Sequence, residues 1–112
     1  MSDDNQIVIP QPFIALFIEP GRTRPGESRA AIAARYELCE DMAQMLTEAA
    51  SLKLHELGIT EDLVLERIHR GLLIEGSVVS PAEAGWVVCR LAELQGWPVP
   101  DWAVPDGNSR AG

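Results

Sequence analysis

The chain has 112 residues, 46% hydrophobic and 23% charged, which is ordinary globular composition and the size of one small domain. Nine Lys and Arg against 17 Asp and Glu leave a net charge of -8, which repels phosphate backbones and anionic headgroups and counts against nucleic-acid and membrane-surface roles. The longest nearly apolar stretch, 7–18, is broken by Pro10, Gln11 and Pro12 and is too short to span a bilayer. Asp3 and Asp4 stand where a secretory signal carries positive charge, so the expectation is a cytoplasmic protein whose Cys39 and Cys89 remain thiols.

In chain order, residues 1–6 are polar and expected to be frayed and disordered. Residues 7–97 read as a single helical domain. Its first part, 7–26, is predicted to be an extended segment and loop, with a short strand or turn at 13–18. Prolines exclude regular central-strand pairing there. Two Pro and two Gly mark 19–26 as a loop.

The strongest element is a long helix over 28–57, stopped by Gly58. Ile32, Tyr36, Cys39, Ala43, Leu46, Ala50, Leu54 and Leu57 recur at helical spacing, and Leu38, Met42, Met45, Ala49 and Leu52 form a second stripe beside them. Together they cover roughly 200° of the helix, which predicts a central spine covered by neighbours on more than one side. A second helix is predicted over 61–70, capped by Thr60 and ended by Gly71. A third is predicted over 81–95, opened by the capping box Ser80-Pro-Ala-Glu83 and closed by Gly96. Residues 98–112 carry three prolines and little periodicity, and read as a flexible tail. The fold class is therefore mainly α: a small three-helix bundle with a long central helix, an extended N-terminal segment packed on it and a mobile C-terminal tail.

The segment Gly21-Arg-Thr-Arg-Pro-Gly26-Glu27-Ser28 has the glycine spacing of a phosphate-binding loop. The position that requires Lys holds Glu27, and no alternating strands surround it, so a plain Pro/Gly linker is the better account and nucleotide hydrolysis the poorer one. Cys39, His55, His69 and Cys89 lack the short paired spacings of a structural zinc site, and no basic partner marks either thiol as a nucleophile. The second and third helices invite a helix-turn-helix reading, but the stretch Gly71 to Val79 separates them, where that turn has three or four residues, and the third helix offers only Arg90 among acids. No catalytic, cofactor-binding or metal residue is assigned, and no cofactor is expected.

Arg35 and Lys53 fall inside the apolar arc of the long helix. Snorkelling stems account for both, and the sharper alternative makes Arg35 half of an ion pair fixing helix register. Trp86 lies off the main apolar stripe of the third helix, and Trp102 follows in the tail. Trp86 is covered either by the tail or by a partner. The candidate partner surface joins Trp86 and Trp102 to Phe13 and Phe17, for an unknown protein partner or self-association.

Residues 35–43, 68–72, 79–84 and 86–94, with the 9–17 segment and the Pro20-Gly-Arg22 turn, resemble a family of short proteobacterial proteins. Its members carry the description "ATPase with chaperone activity", and the family lends no established catalytic residue. The resemblance implies an association with a chaperone system. With the residue-level reading it points to a non-enzymatic protein–protein interaction module, as a chaperone-associated adaptor. The alternatives are a helix-turn-helix-like regulator and a nucleotide hydrolase.

Overall fold

The computed structural model describes residues 8–103. The expected frayed start, 1–6, and the tail beyond Ala103 lie outside the described residues. Among those described, the protein is mainly helical, with four α-helices and no strand. Its contacts gather into two compact units, Met1–Leu38 and Cys39–Gly112, each described in turn.

In the first unit the expected extended segment is instead a helical turn. Helix α1 spans Gln11–Ile14 and continues as a 3₁₀ turn at Ala15–Phe17. The prolines that bar a central strand suit the first turn of a helix, where a missing N–H removes no bond. Pro10, with φ -61° and ψ 141°, is the N-cap, and its carbonyl accepts the N–H groups of Phe13 at 3.0 Å and Ile14 at 3.2 Å. Phe13 is fully buried, its ring 5.4 Å from that of Phe17 and 5.5 Å, edge-on, from that of Tyr36. Ile9 and Ile32 are buried with it in this unit.

Helix α2 spans Arg29–Leu57, close to its predicted bounds. Ser28 Oγ accepts the Ala31 N–H at 3.1 Å, and Gly58, at φ +63°, ends the helix after donating its N–H to Leu54. The later part of α2 belongs to the second unit, with α3 (Glu61–Leu72) and α4 (Pro81–Gln95). Their core comprises Ala50 from α2, Val64, Leu65 and Ile68 from α3, and Val88, Leu91 and Ala92 from α4.

Thr60 caps α3 as predicted, its hydroxyl accepting the Leu63 N–H at 3.3 Å. The end of α3 differs: Gly71 lies inside the helix, which runs on to Leu72. Glycine permits a helix to stop but does not force it, and Leu72 packs against the core, which holds the last turn in place. The capping box of α4 is complete. Glu83 N–H donates to Ser80 Oγ at 3.1 Å, and Ser80 N–H donates to the Glu83 carboxylate at 2.9 Å. Gly96, at φ +73°, closes α4 in the left-handed conformation.

The near part of the tail also departs from expectation. Residues Asp101–Ala103 form a 3₁₀ turn, and Ala103 is buried in the core of the second unit. The Cys89 thiol donates to the Ala103 carbonyl at 3.4 Å.

Candidate functional site

The two apolar stripes of α2 meet different fates. Of the first, Cys39, Ala43 and Ala50 are fully buried, with Leu46 and Leu54 packed against the core. The second was expected to be covered by neighbours, yet Met45 is 72% exposed and Leu52 51% exposed, with Met42 and Ala49 half-buried between them. The steps 42, 45, 49 and 52 are the three-four-three spacing of a coiled-coil seam. To one side of the stripe Asp41 and Glu48 are exposed and give it an acidic edge, and Glu56, exposed at the next seam position after Leu52, ends it with an acid. Such a face can bury the apolar stripe of a second helix and set cations against its rim.

The opposite side of the same helix is fastened to α4. Arg90 donates from Nε to Glu40 Oε1 at 2.9 Å and from Nη2 to Oε2 at 3.0 Å, a two-pronged grip between residues 50 positions apart. Its Nη1 also reaches Glu93 at 3.2 Å. The Arg90 hydrogen bonds hold the Glu40 carboxyl below the usual carboxylate range against the opposing effect of burial, and the same pairing raises Arg90. Further along, Gln95 Nε2 donates to the Thr47 carbonyl and the Ser51 hydroxyl, both at 3.0 Å. These contacts orient α2 so that its second stripe faces outward.

The four residues named as a partner surface do not form a uniformly accessible set. Phe13 is fully buried, so its ring is packing rather than a docking anchor; Phe17 and Trp86 are half-buried. Only Trp102 is substantially exposed, at 41%, and its ring lies 5.1 Å from that of His69. Phe13 and Phe17 belong to the first unit, Trp86 and Trp102 to the second. Arg35 is half-buried and Lys53 exposed.

The remaining candidates can be placed directly. No group of three or more His, Cys, Asp or Glu among the described residues could hold a metal ion. Burial, reinforced by the negative charge of Glu93, pushes the Cys89 thiol up to about 11, away from nucleophilic character at neutral pH. The α3–α4 connection runs from Leu73 through Ser80, twice the length of a helix-turn-helix turn, and Arg90 is committed to Glu40 and Glu93. No described helix is long and apolar enough to cross a membrane.

The exposure of this stripe is not legible in the sequence, because periodicity reports that a face is apolar, not whether the chain covers it. Compared with family models, curated proteins and solved structures, this chain finds no match in any of the three.

Proposed function

We propose that this chain is a non-enzymatic protein–protein interaction module that docks a basic amphipathic helix along the Met42, Met45, Ala49 and Leu52 stripe of α2. One observation carries the reading: a seam-spaced apolar stripe left open, with Met45 72% exposed, on a helix whose other side is fastened to its neighbours. Burying two such side chains against a partner contributes roughly 1.5–3 kcal/mol each before ordering costs. The acidic edge of Asp41 and Glu48, with Glu56 at the stripe's end, selects a partner helix flanked by Lys or Arg.

The core shared by α2, α3 and α4 supports treating the second unit as a three-helix bundle that presents this face. A cytoplasmic adaptor serving a chaperone system, as the family resemblance implies, fits a short chain that offers a surface rather than a reaction centre. No cofactor is part of this role.

The test is photocrosslinking in cell lysate from a benzoylphenylalanine placed at position 45, with position 37 on the polar side as control. A nuclease-insensitive adduct formed from position 45 and abolished by Leu52→Glu is the expected result. Equal crosslinking from both positions, or adducts that disappear with nuclease, would overturn it.

A further inference from the structure

The loop between α1 and α2 carries a second, unrelated feature. Arg22 N–H donates to the Glu19 carbonyl at 2.9 Å, which makes a tight turn, and Gly26 N–H donates to the Phe17 carbonyl at 2.8 Å, which ties the two ends of the loop together. Gly21, at φ +83°, makes the tight turn possible. The loop borders an open depression of about 500 Å³ lined by Glu19, Arg22, Thr23, Arg24, Pro25 and Gly26, all of them exposed. That volume lies inside the range of small-ligand sites, roughly 300–1,000 Å³.

Two arginines, Arg22 and Arg24, thus line one space. Neither Arg22 nor Arg24 forms a side-chain hydrogen bond or ion pair with another described residue, although the chain carries 17 acids. Arg70 and Arg90, by contrast, are both paired with glutamates. Glu27, which in the sequence opposes an anion, is not part of this wall. It lines a neighbouring cavity of about 270 Å³ with Ile9, Ile14 and Ile32. Glu19 is the one carboxylate lining the arginine depression.

We infer that this depression binds a phosphate-bearing anion, held by the Arg22 and Arg24 forks with the Thr23 hydroxyl as a further donor. Guanidinium is planar and matches phosphate oxygens two at a time, and two forks supply more donors than a single carboxylate can accept. Glu19 opposes the anion and weakens its binding.

The experiment titrates inorganic pyrophosphate into the isotope-labelled full chain at about 150 mM salt, where diffuse attraction is screened within about 8 Å. The expected result is saturable movement of the amides of residues 22–26 and of the Arg22 and Arg24 side-chain N–H signals. Arg22→Gln and Arg24→Gln should each weaken binding by roughly tenfold, and Glu19→Gln should tighten it several-fold. All three positions are exposed, and the remaining resonances report whether each variant keeps its fold. A parallel titration with a phosphoserine peptide identifies the source. Saturation by pyrophosphate alone assigns the site to a free phosphate ligand, and saturation by the peptide assigns it to a modified side chain. Shifts that never saturate, that sulfate reproduces equally, or that survive the Arg22→Gln/Arg24→Gln double variant would overturn the inference.

Discussion

Arg90 of α4 grips both carboxylate oxygens of Glu40 of α2, at 2.9 and 3.0 Å, and this pair is the principal polar tie between the two helices. Arg90→Gln should destabilise the chain by about 1 kcal/mol, a figure kept small because the Arg90 side chain is 34% exposed. Glu40 titrates lower in the folded state than its ordinary 4.5, so its stabilisation is complete above that value and disappears as pH falls through the folded value. Urea denaturation of wild type and variant should show a gap at pH 7 that closes below pH 4.5. A gap that persists in acid would mean that the guanidinium acts through packing rather than charge.

Ser80→Ala removes the acceptor that Glu83 N–H uses at the start of α4. The expected cost is about 1 kcal/mol, or about 4 °C in Tm for a domain of this size. Ser80→Asp should retain most of the stability because its carboxylate can accept the same bond, and thermal melts of the two variants make the comparison.

Cys89 supplies a reporter for the tail. In a Cys39→Ala background, where it is the remaining thiol, alkylation should be slow at pH 8 and rise towards its pKa of about 11. Ala103→Asp places a charge in a buried position and should release the turn, accelerating alkylation by roughly tenfold or more. Unchanged kinetics would show that the tail contributes nothing to shielding this sulfur.

Exposure divides the apolar residues of the second unit into two energetic classes. Leu65→Ala and Leu91→Ala, at fully buried positions, should each cost about 2–5 kcal/mol. Met45→Lys and Leu52→Lys, on the open stripe, should stay within about 0.5 kcal/mol of wild type. Chemical denaturation checks both. A large loss from Met45→Lys would place that side chain in the core and remove the docking face.

Local chemistry was readable before the structure. Thr60, the Ser80 and Glu83 box, Gly58 and Gly96 sit at the helix ends their side chains or backbone freedom require. Pro10 and Pro12 were ambiguous, because what disqualifies them from a strand is what qualifies them for a helix start. Gly71 misled because the burial of Leu72 outweighed the flexibility of one glycine. The Glu40–Arg90 pair leaves no local trace: each residue lies on a polar face, and only the packing of α4 on α2 brings them together. The exposure of the Met45 and Leu52 stripe proved hardest, since coverage of a stripe is a property of the whole chain.

The burial of Ala103 also sets the shortest fragment worth producing. A polypeptide cut after Trp97, where helical periodicity ends, would keep every long helix of the second unit yet uncover the sulfur of Cys89 and the apolar ground beneath the missing turn. In air such a truncation would be open to oxidation and to clumping through the same bare spot. A boundary placed beyond residue 103 keeps that stopper in place.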